Sequence, residues 1–184
     1  QDALPEANEA FSINILSVGP NANIGVATAS VTIEDDDTVT EPGQVLFRIN
    51  SGGAEVAATD GGPNWSEDSG VNPTPFLVAG GNNTFASTAT ITVDPADVNG
   101  APSAIFDTER WDPVSATGDA EMQYEFGGLV AGDYTVNLYL AEGSATQSAP
   151  GERSFDVAVE GVVPTIFSAI SPFDTNGNAA FVLS

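Results

Sequence analysis

Asp107 and Glu109 are carboxylates spaced two residues apart, a spacing that puts both on one face of a strand. Such a pair invites a glycoside-hydrolase reading, one group protonating the leaving oxygen while the other attacks or activates water. The spacing argues against it, because working pairs face each other across the substrate at about 5 to 9.5 Å, usually from different strands. Other reactive groups are scarce. The chain has no Cys and no His, which removes thiol nucleophiles, disulfides, zinc sites and imidazole proton shuttles. Asp97-Val-Asn99-Gly100 and Asp174-Thr-Asn176-Gly-Asn178 imitate the start of calcium loops. Neither reaches the twelfth-position Glu that completes such a set, so both read as turns. Binding rather than turnover is the expected chemistry, and no enzyme activity is expected.

Charge narrows the partners. Asp and Glu total 26 against three basic residues, Arg48, Arg110 and Arg153, for a net charge of -23. Nucleic acid is excluded, because binding there relies on Lys and Arg to neutralise phosphates, and anionic membrane surfaces are disfavoured on the same ground. So much acid serves solubility in salty or calcium-rich water, which screens self-repulsion, and some of it suits calcium ligation. Arg110 and Arg153 are expected in structural ion pairs, with Glu142 and Asp156 as candidate partners, since a guanidinium forks onto a carboxylate. No apolar run approaches the roughly 20 residues that span a bilayer, so no membrane insertion is expected. The N-terminus lacks a basic region followed by an apolar one, which puts any signal peptide outside this sequence. Absence of Cys leaves the redox compartment open.

The elements that must carry these groups read as strands. Hydrophobic residues make up 41% of the chain, with 19 Gly and 12 Pro among 184 residues, a turn-rich globular composition. Ala10 to Leu16 alternates Phe11, Ile13 and Ile15 against Ser12 and Asn14; Ala27 to Ile33 alternates again, with Ala29, Val31 and Ile33 on one face. Residues 38–44, with Pro42 and Gly43, read as a linker. Val45, Phe47 and Ile49 then alternate as a strand that Asn50-Ser-Gly-Gly53 breaks. Residues 54–87 show little periodicity and are expected to form a long surface excursion. Further strands are expected at 89–93, 104–106, 122–126, 134–141 and around Phe155, Val157 and Val159. Burying Tyr134, Val136, Leu138 and Leu140 on one face of the fourth of these would contribute about 6 to 12 kcal/mol before entropy. Strands separated by turns, with no convincing helix, predict an all-β fold, an antiparallel β-sandwich of jelly-roll type.

Two resemblances refine this. Val45-Leu-Phe-Arg-Ile-Asn-Ser-Gly-Gly53, Asp60-Gly, Trp65-Ser-Glu-Asp68, Phe106-Asp-Thr-Glu-Arg-Trp111, Gly132-Asp-Tyr-Thr-Val-Asn-Leu-Tyr-Leu-Ala-Glu142 and Gly151-Glu-Arg-Ser-Phe-Asp-Val157 resemble, in order, the motifs of a malectin-type carbohydrate-binding domain over residues 45–184. The resemblance implies sugar binding by loop aromatics that stack on pyranose faces. Trp111 matches one such position and Phe85 plausibly a second. Trp65 is a further candidate, although Trp65 and Trp111 read equally as aromatics that pack the sandwich. Where the family carries an adjacent aromatic pair, this chain has Gly143-Ser144-Ala145, and a late family carboxylate would lie beyond Ser184.

The second resemblance covers residues 1–37. Glu6-Ala-Asn-Glu9-Ala-Phe11-Ser-Ile-Asn-Ile, Ile24-Gly25 and Ala29-Ser-Val-Thr-Ile33-Glu-Asp35-Asp36-Asp37 are similar to the second half of a Calx-β domain. It implies a partial sandwich segment with a calcium site, its candidate ligands being Asp35, Asp36, Asp37 and Glu6 or Glu9. The alternative is a solvated acidic linker. Together the two resemblances imply a secreted or cell-surface module of a longer calcium-dependent adhesin, binding oligosaccharide or polysaccharide. A second expectation is a spacer or filament subunit whose sandwiches are completed by strands of neighbouring domains or copies of the chain, both of its ends then falling inside domains.

Overall fold

The computed structural model describes residues 9–14, 28–33, 43–112 and 121–184. The chain divides into two units, Gln1–Gln44 and Val45–Ser184. In the first, β1 (Glu9–Asn14) and β2 (Thr28–Ile33) pair antiparallel, with Phe11 opposite Val31 and Ile13 opposite Ala29. Directly opposed residues share a face, so the alternation seen in each strand adds up to one apolar side. That side is open: Phe11 is 50% and Ile13 55% exposed.

The second unit is all-β, as expected, but built from short paired ribbons. β3 (Ile49–Gly52) pairs with β4 (Ser66–Ser69) in parallel, and every other named pair is antiparallel. Between β3 and β4 the chain doubles back through an antiparallel bridge from Val56 to Trp65, which returns it to β3 running in the same direction. β5 (Leu77–Ala79) pairs with β8 (Gln123–Tyr124), β6 (Asn83–Ala86) with β7 (Thr108–Trp111), and β9 (Leu138–Leu140) with β10 (Phe181–Leu183). Among the described residues helix is confined to single turns, among them α1 (Pro172–Asn176), which ends at Gly177.

Several boundaries differ from the sequence reading, each for a physical reason. The expected strand at Val45 to Ile49 moves forward onto the Asn-Ser-Gly-Gly segment expected to break it. Gly52, at φ 83°, runs so close to β7 that a Cβ there would sit 2.2 Å from the Glu109 carbonyl oxygen. These glycines therefore permit a close backbone approach rather than end a strand. The excursion expected at 54–87 carries β4, β5 and β6, three or four residues each, every one paired to a strand from another part of the sequence. Of the strand expected at 134–141 only Leu138–Leu140 pairs, while Tyr134 and Val136 are exposed. Of the four side chains expected to be buried, only Leu138 and Leu140 are partly buried. Asp174 serves α1: its carboxylate accepts the Ser171 hydroxyl and the Gly151 N–H.

The core is formed by Trp65, Val98, Ile105, Phe106 and Ala180, with Val56, Ile91, Val93, Tyr139 and Ala141 packed against it. Full burial of each large apolar side chain contributes about 1.5 to 3 kcal/mol.

Candidate functional site

Strand β7 is Thr-Glu-Arg-Trp, and alternation sends its residues to opposite faces. On the inner side, Arg110 is buried and forks onto Asp68 of β4, which is itself fully buried. Arg110 Nε donates to Asp68 Oδ2 at 2.8 Å and a terminal N–H to Oδ1 at 2.9 Å. Its remaining N–H groups reach the carbonyls of Gly81 (2.7 Å), Asp68 and Ser69. Asp68 also accepts the Tyr124 hydroxyl at 2.6 Å and the Thr74 N–H at 2.9 Å. Burial, then the bond to Asp68, pushes the Tyr124 phenol above its ordinary range. One ion pair thereby clamps β4, β7 and β8 together.

The opposite side is different. Register places Asn83 opposite Trp111 and Phe85 opposite Glu109, so these four share one face of the β6–β7 ribbon. Trp111 is 41% exposed, and Phe85, Asn83 and Glu109 are half-buried. Arg153 donates from one terminal nitrogen to both oxygens of Glu109, each at 3.1 Å. Its Nε lies 3.3 Å from Glu142 Oε2, without the alignment of a hydrogen bond. Glu142 is fully buried, and its Oε1 accepts the Ser144 N–H at 2.8 Å. Burial raises the Glu142 carboxyl above the usual carboxylate range, against the opposing effects of that N–H and of Arg153.

The expected ion pairs are met in part. Glu142 does partner Arg153, whereas Asp156 accepts the Ala169 N–H and pairs with no arginine. Asp68 and Glu109 were not foreseen as partners, although both sit in motifs already singled out; only the fold shows which acid each fork meets. Trp65 is 6% exposed, edge-on to Tyr139 at 4.9 Å with the Arg48 guanidinium 5.5 Å from its ring centre. It packs the core, leaving Trp111 and Phe85 as the aromatic candidates on the ribbon face. Gly143, in the Gly143-Ser144-Ala145 stretch that stands where the family carries an adjacent aromatic pair, presses on Ser87: a Cβ there would lie 2.6 Å from its hydroxyl oxygen. The carbonyl of Gly143 accepts the Thr88 and Ala89 N–H groups. Small residues let this turn pack down where aromatics would stand out.

The candidate calcium ligands Glu6, Asp35, Asp36 and Asp37 lie outside the described residues, and Glu9 opens β1. Among the described residues no group of three or more acidic side chains is placed to hold a metal ion, and no helix is long and apolar enough to cross a membrane.

The β6–β7 ribbon thus presents an exposed aromatic beside fixed hydrogen-bonding groups. The family model of the malectin domain matches residues 45–180, and the chain belongs to that family, whose domain is a carbohydrate-binding one. Neither a curated protein nor a solved structure matches the chain.

Proposed function

We propose that this chain is a non-catalytic carbohydrate-binding and adhesion module of a larger secreted or cell-surface protein, and that it holds oligosaccharide or polysaccharide on the Trp111 face of β6–β7. The observation that carries the reading is the exposed Trp111 on the same face as Phe85, Asn83 and the Arg153-held Glu109. An indole face takes the axial C–H groups of a pyranose while adjacent polar groups take its hydroxyls. Trp111→Ala is expected to abolish binding on a glycan array with the fold intact by circular dichroism. Undiminished binding would place the site elsewhere.

Calcium belongs to the proposal through the acidic run that follows β2, with Asp35, Asp36, Asp37 and Glu6 or Glu9 as ligands that stiffen the segment. Chelation should then raise protease sensitivity over residues 34–40, and unchanged cleavage there would remove calcium from the reading. The open apolar side of β1–β2 favours a second reading, a filament or matrix subunit completed by a neighbouring chain. Light scattering after size-exclusion chromatography separates the two: polymer supports the filament, monodisperse monomer the adhesion module.

A further inference from the structure

We infer that Glu142 is a positioning residue for the Trp111 face: the proton it carries decides how Arg153 holds Glu109 there. The inference rests on the proposed carbohydrate reading of that face and adds its regulation.

One guanidinium serves two carboxylates of different depth. Glu109, on the same face of β6–β7 as Phe85, keeps 21% of its side chain exposed, whereas that of Glu142 is wholly buried. Arg153 donates to Glu109 through one terminal nitrogen, and its Nε stops 3.3 Å from Glu142 Oε2 without forming a hydrogen bond. Glu142 therefore carries one buried oxygen that no donor meets, while its Oε1 takes the Ser144 N–H. An unmet buried oxygen penalises the ionised form of a carboxyl far more than the neutral form. The charged groups that bear on Glu142, among the described residues, are Arg153, Glu109 of β7 and Glu152 beside Arg153. Burial first, and then the charges of Glu109 and Glu152, oppose its ionisation; the Ser144 N–H and Arg153 favour it, and the net effect lies above the usual carboxylate range.

Each protonation state of Glu142 makes a different demand on Arg153. Ionised, Oε2 is an acceptor that draws the Nε–H, so the guanidinium is held at both ends and reaches Glu109 with a single nitrogen. Glu109 then keeps lone pairs for a ligand hydroxyl. Protonated, Glu142 carries the proton on Oε2, because Oε1 already accepts an N–H. An O–H then faces an N–H, two donors with nothing between them to accept either. Arg153 is released toward Glu109 and closes on it with two nitrogens, the fork that guanidinium and carboxylate prefer. That fork occupies the lone pairs a sugar hydroxyl uses. The ionised state of Glu142 is thus the binding state, and by linkage a bound sugar expels its proton.

The test is a titration of the full chain from about pH 4 to about pH 9, followed by the side-chain carboxyl carbon shifts of Glu109 and Glu142. The expected Glu109 curve contains an inflection at the Glu142 midpoint. In Glu142→Gln, which is isosteric and permanently neutral, that inflection is gone. A purely structural Glu142 leaves no such mark, so a Glu109 curve blind to the Glu142 midpoint in the native chain overturns the inference, even where the variant fails to fold. Glycan-array binding on either side of that midpoint supplies the functional arm. The native chain is expected to bind about three- to tenfold more tightly on the alkaline side, the worth of one hydrogen bond, and Glu142→Gln to lose that difference. Equal binding on both sides overturns the inference and leaves the carbohydrate reading intact. Absence of binding to every glycan at either pH, with the inflection present, overturns the carbohydrate reading and leaves the proton-coupled hold on Glu109 standing.

Discussion

The two faces of β7 hold neighbouring residues of one four-residue strand under opposite regimes. Inward, Arg110 and Asp68 form a dry pair in which every guanidinium nitrogen has an acceptor. Outward, Glu109 and Arg153 form a half-exposed pair beside an exposed indole. A buried pair stabilises little relative to apolar residues of the same shape, yet breaking it is severe because one charge is left stranded. A half-exposed pair stabilises little in either sense but orients its groups toward solvent. The difference teaches that an arginine–carboxylate pair locks an architecture on one side of a strand and orients groups at a surface on the other, with depth deciding which.

The comparison breaks most easily on the inner face. Arg110→Met should lower stability by about 3 to 5 kcal/mol in urea unfolding, because Asp68 is left charged, buried and without its fork. Adding Asp68→Leu should recover part of that loss; a double variant as unstable as the single one would mean the pair is not the source. Next comes Gly52→Ala, where a Cβ meets the β7 backbone at 2.2 Å and a left-handed φ strains any side chain. A loss of about 2 to 4 kcal/mol is expected, measured the same way. Tyr124→Phe removes a hydroxyl that donates to a buried carboxylate and should lower stability by about 2 kcal/mol, without changing the glycans bound.

The smallest effect concerns Asp60, which is exposed. Arg48 beside it, then the Gly62 N–H, hold its carboxyl well below the usual range. A depressed folded-state value means that the stabilisation is present above the ordinary carboxylate range, near pH 4, and is lost as pH falls further. Carboxyl carbon shifts should show Asp60 still ionised where other exposed acids protonate. Asp60→Asn should flatten the acid side of the thermal-stability profile, and an ordinary titration midpoint would show that Arg48 does not hold it in solution.

Much of the fold was legible because strand alternation is local. β1 and β2 lie within a residue or two of the segments read from Phe11-Ser-Ile-Asn and Ala29-Ser-Val-Thr. The all-β class followed from turn residues and the absence of helical periodicity. β4, with the sequence Ser-Glu-Asp-Ser, was illegible because nothing in it alternates; it is a strand because β3 and Arg110 hold it. The candidate platform was partly legible. Trp111 and Trp65 are equivalent in composition, and only packing makes one a core residue and the other an exposed ring.

By itself the sequence determined the acidity, the want of thiol and imidazole chemistry, the alternating strands and the motif order that marks a malectin domain. Those are properties of residue type and near-neighbour spacing. Tertiary structure alone decided that Arg110 meets Asp68, that Arg153 bridges Glu109 and Glu142, and that Trp111, Phe85 and Asn83 share a face. Such pairings join residues far apart in the chain, and their energies depend on burial and register, which no local pattern encodes.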